Sequence, residues 1–288
     1  MSPMDPLEEL IRAQPGLSLC LVALGLVIGS FLNVVIHRLP RMMEAQWQRD
    51  AAEINGETIP DTDKFSLAFP GSHCPHCGTG IKPSQNIPVV SYLLLGGKCS
   101  HCKAPISIRY PLVELVTALL WVVCGLKFGV SNALLGAMLL SCALITLTAI
   151  DLDCQLLPDH LTLPLLWIGL LLNIDNTFVP LDSAVLGAMF GYMSLWTVFW
   201  LFKIITGKEG MGYGDFKLLA ALGAWFGLAA LPTIVLLSSV VGAVLGVALI
   251  VTGRQDRETP MPFGPFLAGA GLIHLFYPDI LLTWVTGA

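Results

Sequence analysis

The sequence predicts an all-α polytopic membrane protein with about eight transmembrane helices and a small zinc-binding cytoplasmic insertion after the first of them. Of its 288 residues, 55% are hydrophobic and only 12% are charged, about half the charged fraction of a soluble domain. Several apolar runs exceed the roughly 18 residues that indicate a membrane span. This composition excludes a secreted disulfide-rich domain, a disordered chain and an ordinary cytosolic enzyme.

The predicted spans divide the chain into three parts. They cover residues 17–37, 111–130, 132–150, 156–174, 184–206, 217–231, 232–252 and 262–286. Tight turns separate the second span from the third at Gly129, and the sixth from the seventh at Pro232. Residues 1–37 therefore form an N-terminus and first helix, residues 38–110 a polar domain, and residues 111–288 a seven-helix membrane domain.

The placement of Lys and Arg predicts the orientation of the chain. If residues 38–110 lie in the cytoplasm, every Lys and Arg except Arg12 and Lys127 falls on that side. The even number of spans then places both termini on the outer side. Acidic residues precede the first span and Arg38 follows it, which is the reverse of the charge order in a cleavable secretory signal.

Four of the eight cysteines form two Cys-x-x-Cys pairs in the polar domain, Cys74 with Cys77 and Cys99 with Cys102. Two such pairs supply the four soft thiolates that a tetrahedral zinc site requires. The predicted cytoplasmic location agrees, because thiols stay reduced there; two redox pairs or disulfides are the alternatives. Since four cysteines fill the coordination sphere, we predict a structural zinc that compensates for the small apolar core of this domain.

Carboxylates at the ends of predicted spans are the candidate catalytic groups. Asp151 and Asp153 follow the third span, and Asp215 ends a Gly-x-Gly-Asp stretch that begins at Gly212, before the sixth. Acids at a membrane edge are costly unless they are solvated or functional, and both loops fall on the predicted cytoplasmic side. Two facing carboxylates share one proton, so one activates water while the other donates a proton to the scissile amide. A capping or solvated role is the alternative for each acid alone.

Together these motifs resemble the type IV prepilin peptidases, bacterial intramembrane aspartic peptidases that also N-methylate their products. Residues 151–159 and the Gly-x-Gly-Asp stretch resemble the peptidase half, while residues 29–40 and the cysteine pairs resemble the N-terminal half. The resemblance implies that Asp151 and Asp215 are the two catalytic aspartates. It also implies cleavage of prepilins and pseudopilins after a glycine, on the cytoplasmic face of the inner membrane. The outer side, where the Lys and Arg distribution and the even number of spans place both termini, is then the periplasm.

The resemblance further implies methylation of the new N-terminal amine with S-adenosylmethionine. No glycine-rich loop of the dinucleotide-binding type follows a strand in the sequence, so no motif locates the cofactor. Asn33, Arg38 and Glu114 are the candidate cofactor-binding residues, as polar groups in or beside predicted spans. The structural alternatives are that Glu114 pairs with Arg109 or extends toward the interface, and that Asn33 packs between helices.

We therefore expect an enzyme whose partners are prepilins, pseudopilins and membrane lipid, and no nucleic acid, since the chain has no polybasic stripe. The first alternative is an ion- or proton-coupled transporter with a structural zinc module. A transporter predicts acids near the bilayer midplane and inverted repeats, whereas the acids here cluster at one interface. The second alternative is a membrane adaptor that docks a partner through the zinc module.

Overall fold

The computed structural model describes residues 15–57, 65–253 and 261–279, and the regular elements within these ranges are helices. The α-helices are α1 (Pro15–Asn55), α2 (Val90–Leu94), α3 (Arg109–Phe128), α4 (Asn132–Cys154), α5 (Asp159–Asn173), α6 (Leu181–Thr206), α7 (Tyr213–Phe226), α8 (Leu231–Val251) and α9 (Gly264–Phe276). Short 3-10 turns cover Pro83–Gln85 and Leu228–Ala230. The predicted all-α class is confirmed.

Five helical segments are long and apolar enough to cross a membrane, which confirms the predicted class of membrane protein. They are α1, α3, α4, α6 and the segment Leu228–Val251 that contains α8. The helices α5, α7 and α9 have 15, 14 and 13 residues, fewer than the roughly 20 of a straight span. Eight spans therefore stay a prediction, and the last residues of the predicted eighth span lie outside the described ranges.

The first helix extends beyond the predicted first span. It passes residue 37 and continues through Pro40 to Asn55. The residues after Pro40 are mostly strong helix formers such as Met, Glu, Ala, Gln and Arg, which explains the extension. The start of the predicted polar domain is therefore a continuation of the same helix.

The chain forms two compact units, residues 1–129 and 130–288. The first unit contains α1, the two cysteine pairs and α3. The second contains the helices from α4 onward. The predicted three-part division, with the second span in a seven-helix membrane domain, stays a prediction; helix α3 of that span lies in the same compact unit as α1.

Two glycines bring α1 and α3 into backbone contact. A Cβ on Gly25 would lie 2.6 Å from Cα of Ala118, and a Cβ on Gly29 would lie 2.6 Å from Cα of Glu114. The four-residue spacing puts both glycines on one face of α1. Small residues at this spacing let membrane helices pack closely without side chains between them, so Glu114 lies directly against α1.

The second unit is built around α7, whose residues from Asp215 to Phe226 are buried except for Lys217. A Cβ on Gly191 of α6 would lie 2.7 Å from the carbonyl oxygen of Leu219 in α7. At the end of α5, the amide of Asn173 donates to the carbonyl oxygens of Ala224 and Trp225, over 2.9 and 3.1 Å. Because α7 is surrounded in this way, the acid in its first turn lies inside the unit.

Candidate active site and metal centre

The two cysteine pairs form equivalent turns in the first unit. The N–H of Cys74 donates to the oxygen of Thr79 and the N–H of Gly78 to the oxygen of Cys74, each over 2.9 Å. In the second turn, the N–H of Cys99 donates to the oxygen of Ala104 over 2.8 Å, and the N–H of Lys103 to the oxygen of Cys99 over 3.1 Å. An isolated antiparallel bridge closes each turn one residue outside these bonds. The local sequence thus folds each pair into the same knuckle.

The four Sγ atoms converge on one point. Those of Cys74, Cys77, Cys99 and Cys102 all lie within 4.8 Å of one another, and the atoms of Cys74 and Cys102 are 3.8 Å apart. In a tetrahedral site with Zn–S bonds of roughly 2.3 Å, neighbouring sulfurs are about 3.8 Å apart. The donor set and its spacing therefore fit a zinc ion bound by four thiolates.

Hydrogen bonds around two of the sulfurs favour the thiolate form that binds a metal. The side chain and the backbone of Thr79 lower the pKa of Cys77 to about 6. The backbone amides of Cys102 and His101 lower the pKa of Cys99. Thiolates are the ligand form of cysteine, so these two positions stabilise the charge that a metal requires. At Cys102 the backbone hydrogen bond of Ala104 is outweighed by burial and by the neighbouring cysteine side chains, which raise its pKa to about 11.

Asp151 lies in the last turn of α4 and is only 4% exposed. The helix ends at Gln155, which has a φ of 53° and donates its N–H to the oxygen of Asp151 over 2.9 Å. One carboxylate oxygen of Asp151, Oδ2, accepts the N–H of Gly264 over 3.0 Å. The acid is therefore an internal group of the second unit.

Asp215 lies in the first turn of α7 and is 6% exposed. Gly212 is the N-cap of this helix, and its oxygen accepts the N–H of Asp215 over 3.3 Å. Oδ1 of Asp215 is buried without a hydrogen-bond partner in the described structure. A buried polar atom of this kind is costly unless a proton, water or substrate satisfies it.

The second unit brings the two predicted catalytic acids together. Leu157 joins their surroundings: a Cβ on Gly214 would lie 2.6 Å from Cβ of Leu157, and a Cβ on Gly264 would lie 3.0 Å from its Cδ2. Two buried acids from different helices, one with an unsatisfied oxygen, can perform general acid–base chemistry on a bound amide.

Asp159 and Asp153 stay outside this pair. Asp159 is in the first turn of α5, after the N-cap Pro158, and its carboxylate accepts Nζ of Lys217 over 2.6 and 2.7 Å. Asp159 is therefore the first residue inside α5 and not its N-cap. Asp153 is exposed, two residues after Asp151 on α4.

The candidate cofactor residues lie in the first unit. Glu114 is buried and accepts the N–H of Val89 over 2.7 Å and the hydroxyl of Ser30. Val89 has a φ of 58°, a strained conformation for a β-branched residue. Asn33 donates to the oxygen of Tyr110 on α3 over 3.0 Å, so it joins the two helices as its structural alternative expected.

Arg38 holds the loop ahead of the first cysteine pair. It is 8% exposed. Its Nη1 donates to the oxygens of Ser66 and Leu67 over 2.9 and 3.4 Å, and its Nη2 donates to the oxygen of Pro70 over 2.6 Å. The guanidinium also lies 5.6 Å from the ring centroid of Phe65. These contacts fit an anchor of the loop better than a ligand of a cofactor.

Gly264 is the residue of this site that the sequence analysis missed. It stands in the stretch Pro262-Phe263-Gly264-Pro265, where α9 begins. A glycine between a phenylalanine and a proline, just inside a predicted span, is the only local signal. Its contact with Asp151 joins residues 113 positions apart, which sequence spacing does not reveal.

Comparison with known proteins defines the class of protein to which this fold and these acids belong. Residues 23–128 match the model of the bacterial peptidase A24 N-terminal domain, and residues 138–247 match the model of the type IV leader peptidase family. The chain belongs to the type IV leader peptidase family, as the sequence motifs implied.

Several relatives carry the name prepilin leader peptidase/N-methyltransferase. One from Pseudomonas aeruginosa is 54% identical over 276 residues, covering 95% of each chain. One from Aeromonas salmonicida is 52% identical over 285 residues, covering 98% of each. One from Burkholderia pseudomallei (strain K96243) is 48% identical over 276 residues, covering 94% of this chain and 89% of the relative. No solved structure matches the chain, and these findings give the transporter alternative no support.

Proposed function

We propose that this protein cleaves the leader from type IV prepilins and then N-methylates the new N-terminal residue. The observation that carries the proposal is the buried Asp151–Asp215 pair, in a chain 54% identical to a prepilin leader peptidase/N-methyltransferase. We extend the substrates to the pseudopilins of type II secretion, which share the arrangement of a basic leader ahead of a hydrophobic helix.

In the peptidase reaction, Asp151 and Asp215 act as one acid–base pair. One carboxylate takes a proton from water, and the resulting hydroxyl attacks the carbonyl carbon of the leader glycine. The other carboxyl group donates its proton to the carbonyl oxygen. When the C–N bond breaks, the leaving nitrogen receives a proton from the first acid. Gly212 leaves space beside Asp215 for an extended backbone to approach, since an added Cβ there would meet nothing closer than Oδ2 of Asp215 at 3.8 Å.

The four cysteines hold a structural zinc ion. Their closed coordination sphere leaves no position for substrate, so the ion braces the loop between α1 and α3 instead of activating water. Arg38 adds a second brace through its bonds to the preceding loop. The metal compensates for the small apolar core of this part of the first unit.

Methyl transfer takes place in the first unit, around Glu114. When bound, S-adenosylmethionine supplies an electrophilic sulfonium methyl group. A buried carboxyl group held in place by the N–H of Val89 is suited to bind a sulfonium or an ammonium group, whose positive charge favours its ionised form. Asn33 positions this site by holding α1 to α3, while Arg38 contributes through the loop.

The protein lies in the bacterial inner membrane, with the zinc module and the aspartate pair toward the cytoplasm and both termini toward the periplasm. The distribution of Lys and Arg supports this orientation. Within the second unit, Asp151 ends α4 while Asp215 begins α7, so both acids belong to the same end of this bundle. Arg12, Arg254 and Arg257, which also enter the argument, lie outside the described residues.

The test is cleavage of a prepilin by the full-length purified protein in lipid, followed by mass spectrometry. Asp151→Asn and Asp215→Asn should each lower cleavage by about 10²–10⁴-fold, the usual contribution of a general acid or base. Both variants should still methylate a pre-cleaved pilin, because Glu114 belongs to the other unit. Asp153→Asn is the matched control and should cleave like the wild type.

Each outcome separates one part of the proposal. Normal cleavage by either Asn variant, with normal zinc content, would overturn the aspartate assignment. A cleaved but unmethylated product in the presence of S-adenosylmethionine would overturn the second activity.

A further inference from the structure

The N-terminal end of α9 lies against one of the two acids. Gly264 is the first residue of α9, and its backbone N–H donates to Oδ2 of Asp151 over 3.0 Å, with both groups buried. The two residues lie on different helices and are 113 positions apart in the sequence. A third helix therefore contributes to an acid pair that α4 and α7 supply.

At the N-terminus of α9, the N–H of Gly264 is the hydrogen-bond donor that points at the carboxylate of Asp151. The first residues of a helix have no intrahelical acceptors for their N–H groups. In α9, Pro265 has no N–H, while Phe266 and Leu267 donate to the oxygen of Phe263 over 3.1 and 3.2 Å. The partial positive charge of the helix end thus reaches Asp151 through Gly264.

The contact requires a glycine. A Cβ at position 264 would lie 2.6 Å from Oδ2 of Asp151 and 3.0 Å from Cδ2 of Leu157. Real Cβ atoms do not approach other atoms as closely as 2.6 Å, so any side chain must displace the carboxylate or the helix. Leu157 closes the other side, because it also packs against Gly214 beside Asp215.

We propose that Gly264 is a positioning residue of the peptidase, which orients Asp151 through its backbone N–H and makes the acid pair asymmetric. The proposal rests on the proposed catalytic role of Asp151 and Asp215. A carboxylate that accepts an N–H at a helix N-terminus is stabilised in its ionised form. Asp215 has a buried oxygen without a partner, which a proton satisfies. Asp151 is therefore the base that activates water, and Asp215 is the acid that protonates the substrate.

The first experiment substitutes three glycines of α9 in the full-length protein. Gly264→Ala should lower kcat for prepilin cleavage by about 10²-fold, the cost of displacing a catalytic group by roughly 1 Å, with little change in KM. Gly269→Ala should cleave like the wild type, since no atom lies within 4 Å of its added Cβ. Gly271→Ala is the packing control: its Cβ would meet Cδ2 of Leu222 at 2.6 Å, away from the acids.

Hydrogen-exchange protection of α7 reports folding of the second unit in the same samples, and methylation of a pre-cleaved pilin reports the first unit. Both should be normal in all three variants. The proposal is overturned if Gly264→Ala cleaves normally. It is also overturned if kcat falls as much in Gly271→Ala as in Gly264→Ala, because the loss of cleavage is then explained by disturbed packing of α9 alone. Restored cleavage in Gly264→Ala combined with Leu157→Ala would likewise assign the loss to Leu157.

The second experiment locates the proton by infrared spectroscopy of the full-length protein. The carbonyl stretch of the protonated carboxyl should be lost in Asp215→Asn and kept in Asp151→Asn. The opposite pattern would overturn the asymmetry. If the proposed catalytic role of the two acids were itself wrong, Asp151→Asn would cleave prepilin at the wild-type rate. That result differs from the one that overturns only the asymmetry.

Discussion

Each unit of the molecule buries a carboxylate that accepts a backbone N–H, yet the two surroundings differ. In the first unit, Glu114 is a single acid held by Val89 and Ser30. In the second unit, Asp151 is held by Gly264, but Asp215 faces it with an oxygen that has no partner in the described structure. The first arrangement is a single carboxyl group with no second acid beside it among its named contacts, whereas the second is a pair of acids that can exchange a proton.

The two units are also stabilised by different interactions. The knuckles of the first unit consist of backbone bonds within each cysteine pair, joined by a cluster of four sulfurs. The second unit is held by helix packing, with α7 buried at its centre. The proposed zinc ion would make only the first unit dependent on a metal, so the two units should respond differently to removal of metal.

Removal of the metal should have the largest effect and should be confined to the first unit. Structural zinc contributes about 10–16 kcal/mol to the folding of small zinc modules. Cys99→Ser or a chelator should therefore expose the amides of Gly78 and Lys103 to hydrogen exchange, while α7 keeps its protection. Cys20→Ser, at an exposed position on α1, is the control. Unchanged exchange after chelation would contradict the structural zinc.

Glu114→Gln should separate the two activities. Gln keeps an acceptor for Val89 but removes the charge, and a hydrogen bond to a charged group contributes about 1.5–3 kcal/mol, or roughly tenfold to a hundredfold. We expect methyl transfer to fall by this factor while cleavage is retained, measured by mass spectrometry of both products. A parallel loss of cleavage and thermal stability would instead make Glu114 a purely structural residue.

Gly25→Ala should weaken the packing of α1 on α3. Its Cβ would meet the backbone of Ala118 at 2.6 Å, which a side-chain rotation cannot relieve. Overpacking of this kind costs about 1–3 kcal/mol. The melting temperature of the full-length protein in detergent should fall, whereas Gly16→Ala, with no atom within 4 Å, should leave it unchanged. Equal melting temperatures would show that the helices can separate without cost.

The ion pair between Lys217 and Asp159 should have the smallest effect. It is partly exposed, with side chains 28% and 50% accessible, and such pairs contribute about 0.2–1 kcal/mol. A double-mutant cycle with Lys217→Met and Asp159→Asn should give a coupling energy in this range, with near-normal cleavage. A loss of cleavage beyond about tenfold, with folding intact, would place the pair in the catalytic machinery.

Local chemistry explains which parts could be predicted from the sequence. The knuckles at Cys74 and Cys99 depend on residues at most seven positions apart, so their spacing identifies them. The apolar runs identify the membrane helices because each span must satisfy its backbone within itself. The ends of helices were harder to predict. Helix α1 continues to Asn55 because strong helix formers follow the point where its apolar run ends.

Contacts between distant residues could not be predicted in this way. Arg38 was a candidate for the cofactor, but its donors reach three loop carbonyls that only the folded chain brings near. Lys217 is the first residue of the sixth predicted span, and nothing near it in the sequence relates it to Asp159, 58 positions away. Gly264 was part of a predicted span, and nothing in its neighbourhood in the sequence relates it to Asp151.

The sequence by itself determined the membrane class, the cysteine cluster and the two acids, because hydrophobicity, ligand spacing and the cost of charge at a membrane edge are local properties. Only the tertiary structure decided the surroundings of those acids. Hydrogen bonds and desolvation depend on which groups approach within a few ångströms, and here those groups come from α4, α7 and α9 together.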